Sequence, residues 1–107
     1  EGFGDARLSK VLNALHDAPN ADWTLARLSS LAGMSRASFA ARFHEILGAS
    51  PISYLAQARM TLAARHLLRG SSIKQVASTC GFRSQAAFTR CFSRHFGKSP
   101  SAWLAEH

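Results

Sequence analysis

The side chains best suited to chemistry lie between positions 85 and 94. Three phenylalanines spaced four apart, at positions 88, 92 and 96, alternate with Gln85, Arg90 and Arg94. In a helix this spacing buries the phenylalanines and turns the polar side chains outward. An outward guanidinium can form paired hydrogen bonds with guanine, and a carboxamide can do so with adenine. The chemistry that this segment indicates is therefore recognition by hydrogen bonding.

Other reactive residue types form no catalytic or metal-binding pattern. Cys80 and Cys91 are the two cysteines, and Cys80 falls at an apolar position, which predicts a buried thiol. The histidines at positions 16, 44, 66 and 95 occur singly and lack ligand spacing, so we expect no metal. Phosphate-binding glycine loops, nucleophile elbows and paired carboxylates are absent from the sequence. We therefore expect neither a cofactor nor catalysis.

The elements that carry the polar side chains are encoded twice. Residues 25–55 and 73–104 share one apolar frame, offset by 48 residues up to Gly33 and Gly81 and by 49 from the phenylalanines onward. One extra residue has therefore entered just after Gly81. Each copy reads as helix, tight turn and helix. Two αα-hairpins packed for structural reasons alone could share this frame, but two aligned copies favour a repeated helix-turn-helix.

Small and capping residues agree with this interpretation. Ser29 and Ala77 lie four positions before the two glycines, where the second helix must cross close to the first. Glycine adopts a positive φ at little cost, which suits the turn. Ser35 and Ser84 are placed to cap the second helix of each copy.

The complete chain predicts an all-α fold of seven helices. These are placed at about 6–17, 25–32, 36–47, 51–69, 73–80 and 85–96, with a short seventh helix opened by Ser99-Pro100. We interpret 1–107 as one domain, with a first helix-turn-helix lobe at about 6–48, a connecting helix at about 51–69 and a second lobe at about 72–106. Nineteen helical residues span roughly 28 Å, close to the ~34 Å between successive major-groove faces. The connecting helix is expected to fix the spacing of the lobes by packing apolar residues against both: Leu55, Leu62, Ala63, Leu67 and Leu68.

Helical periodicity also predicts which side chains stay exposed. On the third helix, the residues opposite or beside the buried stripe are Arg36, Ala37, Ser38, Ala40, Ala41, Arg42, His44 and Glu45. On the sixth helix they are Gln85, Ala86, Ala87, Thr89, Arg90, Ser93 and Arg94. The only base contact available to alanine is packing against the thymine methyl group. The two copies are therefore expected to contribute unequally to sequence recognition.

Charge is distributed as unevenly as the polar side chains. The chain carries a net +7, but residues 1–45 hold five acids and five bases, whereas residues 46–107 hold eight bases and only Glu106. A basic half suits a polyanion such as nucleic acid or a membrane surface. No apolar run is long enough to span a bilayer, and no signal-peptide pattern opens the sequence. Arg90 and Arg94 favour nucleic acid over a merely solvated face.

These motifs resemble the DNA-binding domain of AraC/XylS transcription regulators over about residues 8–104. The most specific stretch is Ile73 through Pro100; L-A-G-M-S-R-A-S-F-A-A-R-F in the first copy and the segment 54–68 are also similar. The resemblance implies seven helices and two lobes that bind adjacent major grooves as one asymmetric unit. It implies base contacts from Ala37, Ala40, Ala41, Gln85, Ala86, Thr89 and Arg90. Alanine at all three positions of the first group departs from several relatives.

We therefore expect a sequence-specific transcription regulator domain, an activator of the bacterial cytoplasm that is nucleoid-associated when bound. Double-stranded DNA and RNA polymerase are the expected partners, with no membrane. The predicted DNA-binding residues are Arg36, Ala37, Ser38, Ala40, Ala41, Arg42, Gln85, Ala86, Thr89, Arg90, Arg94 and Lys98. We interpret Glu1–Ala6 as a cut or linker remnant and the isolated domain as a monomer. Family members usually add an N-terminal effector-binding or dimerisation domain, through which a full-length protein could dimerise.

Two alternatives remain open. The basic half could bind nucleic acid without regard to sequence. The chain could also be the accessory DNA-binding domain of a DNA-repair enzyme, since AraC-like modules occur fused to alkyl-transfer proteins. Cys91, near the flank of the sixth helix, is then the candidate thiol.

Overall fold

A computed structural model describes residues 5–107, and every regular element in that range is an α-helix. The seven helices are α1 Ala6–Asp17, α2 Leu25–Ala32, α3 Arg36–Leu47, α4 Pro51–Leu68, α5 Ile73–Thr79, α6 Gln85–Phe96 and α7 Pro100–Ala105. The all-α prediction is confirmed, although α4 and α5 each end one residue earlier than the sequence indicated. Residues 1–4, part of the segment interpreted as a linker remnant, lie outside the described residues.

Polar side chains determine where the helices begin. The hydroxyl groups of Thr24, Ser35, Ser84 and Ser99 each accept a hydrogen bond from the amide three residues later, at 3.0–3.2 Å. Ser72 and Gln75 form a reciprocal capping box, with both bonds at 3.1 Å. Helix α1 is capped by Asp5, whose carboxylate accepts from the amides of Arg7 and Leu8.

The chain divides into two compact units, the first ending at Leu55 and the second running from Ala56 to His107. Each unit has its own hydrophobic core. The first core comprises Leu8, Val11, Leu12, Leu15, Leu28, Ala32, Phe39, Phe43 and Leu55. The second comprises Met60, Ala63, Leu67, Val76, Ala77, Cys80, Phe88, Phe92 and Trp103.

The internal repeat extends further than the frame seen in the sequence. Leu8, Val11 and Leu15 of α1 correspond to three residues of α4, each 52 positions later: Met60, Ala63 and Leu67. The first turn of α4 corresponds in turn to α7, because Tyr54 packs on Phe43 as Trp103 packs on Phe92, with 5.6 Å between ring centroids in both pairs. The start of helix α4 therefore belongs to the first unit, and the rest of the helix belongs to the second.

Both helix-turn-helix turns are built from the same hydrogen bonds. Gly33 and Gly81 adopt φ angles of 69° and 86°, which glycine tolerates because it has no Cβ. The following amides, of Met34 and Phe82, donate to the carbonyls of the predicted small residues Ser29 and Ala77, at 3.0 Å in each copy. Ser29 and Ala77 are both buried, so the predicted close crossing is confirmed.

One packing prediction for α4 was wrong. Leu68 is 56% exposed, whereas the preceding residue, Leu67, is buried. Successive residues on a helix point about 100° apart, and the step after Leu67 turns Leu68 away from the core.

Candidate nucleic-acid interface

Helix α6 exposes three of the polar side chains that the periodicity predicted, namely Gln85, Arg90 and Arg94. Ser84 caps the helix by accepting from the amide of Ala87 at 3.0 Å. Phe88 and Phe92 are fully buried and fix the inner side of the helix. The side chains left exposed are Gln85, Ala86, Arg90, Arg94 and His95, while Ala87, Thr89 and Ser93 are partly buried.

The two arginines of α6 are free to bind a ligand. Neither Arg90 nor Arg94 forms an ion pair or a side-chain hydrogen bond with any of residues 5–107. Both side chains are exposed. Guanidinium groups in this state offer all their N–H donors to a partner such as a base edge or a phosphate.

Helix α3 presents a chemically different surface. Phe39 and Phe43 are buried like their counterparts in α6. On the outer side, Ala37 and Ala41 are exposed and Ala40 is partly buried, so this surface offers mainly methyl groups. Its exposed polar side chains include Arg36 and Ser38 near the helix start, and Arg42.

Arg42 is engaged within the first unit. Its Nε donates to Oδ2 of Asp5 at 3.3 Å, and its Nη1 donates to Oε1 of Glu45 at 3.1 Å. Partial burial tends to raise the pKa of Asp5, but the hydrogen bonds from Arg42 and from two backbone amides outweigh it and lower that pKa below 3.8. The hydrogen bonds that Arg42 donates, to Asp5 first and to Glu45 second, raise the pKa of Arg42. The contact with Asp5 joins residues 37 positions apart, so no local pattern indicated it.

Lys98, a predicted phosphate contact, also has an acidic partner. Its Nζ lies 2.6 and 2.5 Å from the two carboxylate oxygens of Glu106. The hydrogen bond from Lys98 lowers the pKa of Glu106. The Glu106 carboxylate therefore competes with any phosphate for the Lys98 ammonium group.

Two cations outside the predicted set border a groove of about 340 Å³ in the second unit. Lys74 of α5 and Arg83 of the turn line it together with Gln85, at the start of α6. Periodicity on α6 missed both residues because neither belongs to that helix. The sequence did contain a signal for Arg83, because Arg83 is the one residue around this turn that has no counterpart in the first copy.

The remaining reactive groups are structural or isolated. Cys80 is buried, and burial raises the pKa of its thiol to about 11 although the nearby Arg59 guanidinium opposes the shift. Cys91 is partly buried. Within residues 5–107 no three His, Cys, Asp or Glu side chains lie close enough to hold a metal ion. No helix in the same range is both long and apolar enough to cross a membrane.

The structure contains two helix-turn-helix units whose second helices are capped and carry polar residues. This arrangement places the protein in the class of helix-turn-helix proteins. A family model described as a helix-turn-helix domain matches residues 28–106. The chain belongs to the AraC family of transcription regulators and constitutes a DNA-binding domain of that family.

Individual relatives agree with this assignment. The HTH-type transcriptional regulator AlkR of Acinetobacter baylyi is 40% identical over 95 residues, which cover 87% of this chain and 31% of AlkR. The RCS-specific HTH-type transcriptional activator RclR of Escherichia coli is 34% identical over 98 residues, or 91% of this chain and 34% of RclR. The solved DNA-binding domain of AdpA, in complex with a target DNA, is 32% identical with a TM-score of 0.87, over 92% of this chain and 89% of that one. The chain spans about a third of the length of AlkR and RclR.

Proposed function

We propose that this domain binds a specific duplex sequence and reads it mainly through α6. The observation that carries the proposal is the pair of exposed side chains Gln85 and Arg90, the latter without an internal partner, on a helix whose other side is fixed by buried phenylalanines. Arg90 is suited to guanine and Gln85 to adenine in the major groove. Thr89 and Ala86 lie on the same turns and complete the base-reading set.

Helix α3 is proposed to enter a second, adjacent major groove of the same duplex with less discrimination. Ala37, Ala40 and Ala41 can pack against thymine methyl groups but cannot hydrogen-bond to base edges. Residual preference in this half-site would come from Arg36, Ser38 or Arg42, or from the deformability of the DNA. We assign Arg94 and Lys98 to the phosphate backbone, where contacts orient a protein without reading sequence.

The domain is proposed to act by binding rather than by catalysis, on promoter DNA in the bacterial cytoplasm. RclR is by its name a transcriptional activator. By analogy, we infer that a protein carrying this domain activates transcription together with RNA polymerase. Effector binding and dimerisation would belong to a further domain of such a protein.

Selection of binding sites from random duplex DNA tests the proposal directly. Because one chain carries two reading helices, we expect a non-palindromic site of about two helical turns, bound by one chain. The half-site under α6 should be sharp and the half-site under α3 degenerate, apart from thymine preference. Titration of the selected duplex, followed by sedimentation, measures the stoichiometry.

Each competing interpretation has its own outcome in these experiments. Two chains per minimal site, or a sharper half-site under α3, would overturn the two-unit monomer. Absence of any enriched sequence would support a sequence-indifferent binder. Transfer of an alkyl group from a methylated duplex to Cys91 would support the repair-enzyme alternative.

A further inference from the structure

The groove beside the start of α6 combines an apolar floor with a cationic rim. It is bordered by α5, by the turn and by the first residue of α6, and Ala77 and Phe82 supply its apolar part. Lys74, Arg83 and Gln85 supply the polar part. We call it the Lys74–Arg83 groove.

The two cations of the Lys74–Arg83 groove have no counter-charge. Both side chains are exposed, and neither forms an ion pair or a side-chain hydrogen bond with any residue from 5 to 107. Glu106 is the only acidic residue in 46–107, and it is bound to Lys98. Two unneutralised cations lining one groove favour an anionic ligand there.

Comparison with the first unit shows that these cations are not needed for the fold. In the repeat, Ala26 occupies the position of Lys74, and no residue corresponds to Arg83. The turn nevertheless makes the same 3.0 Å hydrogen bond in both copies, from Met34 to Ser29 and from Phe82 to Ala77. Lys74 and Arg83 therefore add positive charge to a helix-turn-helix whose turn forms in the first copy without such residues.

The backbone at the same place also offers donors. Ser84 accepts from the amide of Ala87, whereas the amides of Gln85 and Ala86 have no acceptor among the described residues. The N-terminus of a twelve-residue helix such as α6 carries a partial positive charge that favours anions. Side chains and backbone thus offer donors and positive charge at the same end of the recognition helix.

We propose that the Lys74–Arg83 groove binds a phosphate of the DNA backbone and anchors the start of α6 on the duplex. The proposal rests on the function proposed for α6 and adds a contact that is independent of sequence. Lys74 and Arg83 neutralise the phosphodiester, while Gln85 extends from the groove edge toward the bases. Binding there sets the register in which Arg90 meets its base pair.

The salt dependence of binding tests the charge contribution. Lys74→Gln and Arg83→Gln should each weaken binding by the same factor on the selected duplex and on a scrambled duplex. Each variant should flatten the salt dependence by about one charge, so that the affinity lost between 50 and 200 mM salt becomes about threefold smaller. Lys10→Gln is the matched control, because Lys10 lines a separate groove in the first unit. Circular dichroism checks that all three variants fold.

Neutral methylphosphonate substitutions locate the contact. Each phosphodiester of the selected duplex is replaced singly, and wild-type protein should lose affinity at one or two adjacent positions in the α6 half-site. Lys74→Gln and Arg83→Gln each leave one cation in the groove, so each should show a smaller loss there than wild type. Independent losses at every position, losses confined to the α3 half-site, or an equal effect of Lys10→Gln would overturn the proposal.

Failure of the proposed function remains distinguishable from failure of the groove. If no preferred duplex is selected, the sequence-reading function fails, and the salt dependence on random duplex still tests the groove. If a preferred duplex exists but both variants keep the wild-type salt dependence, the groove proposal alone is wrong.

Discussion

The two units repeat one packing arrangement but use their cations differently. The ring centroids of Phe39 and Phe43 lie 5.7 Å apart, as do those of Phe88 and Phe92. In the first unit, Arg42 pairs with Asp5 and Glu45, and the Arg27 guanidinium lies 4.7 Å from the centre of the Trp23 ring. In the second unit the cations without an internal partner include Lys74, Arg83, Arg90 and Arg94.

This difference separates the residues that make a helix-turn-helix from those that make it bind. Apolar residues, caps and the turn glycine are kept in both copies and are sufficient for the shape. Exposed ion pairs such as Arg42–Glu45 add little stability, because solvent screens the two charges. Their larger consequence is to occupy groups that would otherwise contact phosphate, so the second unit is expected to dominate binding.

The largest expected effect tests the shared skeleton. Phe43→Ala and Phe92→Ala each remove a fully buried ring, and each should lower the free energy of unfolding by about 3–5 kcal/mol. The loss at Phe92 should be the greater, because its ring contacts Phe88, Phe96 and Trp103, whereas that of Phe43 contacts Phe39 and Tyr54. Urea denaturation of both variants measures the difference. A loss below about 1 kcal/mol for either variant would contradict equivalent cores.

The next largest effect tests whether α6 discriminates between base pairs more strongly than α3 does. Arg90→Ala should cost about 1–3 kcal/mol of binding free energy on the selected duplex and relax preference at one base pair. Arg65→Ala is the matched control, since Arg65 is an exposed arginine of α4 outside the predicted DNA-binding set, and it should leave the preferred sequence unchanged. Fluorescence anisotropy on duplexes varied at single positions measures both variants. An unchanged preference for Arg90→Ala, or an equally relaxed one for Arg65→Ala, would contradict the role assigned to Arg90.

The sequence was sufficient for those features that depend on neighbours along the chain. Capping serines, glycine turns and phenylalanine spacing act within one or two helical turns, so helix bounds and the exposed side of α6 were predictable. Whether a cation has an acidic partner was not predictable, because Arg42 contacts Asp5 across 37 positions and Lys98 contacts Glu106 across eight. Leu68 shows the same limit, since composition marks it as apolar while the helix angle after Leu67 exposes it. Which arginines are free to bind could be learned only from the fold.

A smaller effect is expected from releasing Lys98. Glu106→Gln removes the carboxylate that holds the Lys98 ammonium group, so Lys98 becomes available to phosphate. Affinity for every duplex should rise, and the salt dependence should steepen by up to about one charge, roughly threefold between 50 and 200 mM. In a Lys98→Gln background the same change should have little effect, which a double-mutant cycle measures. An equal gain in both backgrounds would show that Lys98 does not contact the backbone.

The smallest effect should come from Asp5→Asn, which removes one of the two acidic partners of Arg42 in the first unit. Asparagine still caps α1, but it no longer carries the charge that holds Arg42. Glu45 remains as a partner, so the salt dependence should steepen by well under one charge. Asp17→Asn, which removes an exposed acid from the same helix, should not reproduce this change.

The pH dependence of stability gives Asp5→Asn a second readout. Because the folded pKa of Asp5 lies below its ordinary value of 3.8, its contribution to stability is present above that pH and is lost as the pH falls through the folded pKa. The difference in melting temperature between wild type and Asp5→Asn should therefore be constant near neutral pH and shrink below about pH 4. A difference that persists at lower pH would mean that the charge of Asp5 is not the source of its contribution to stability. The weak contribution of the first unit's cations to DNA binding would then have a cause other than the Asp5 carboxylate.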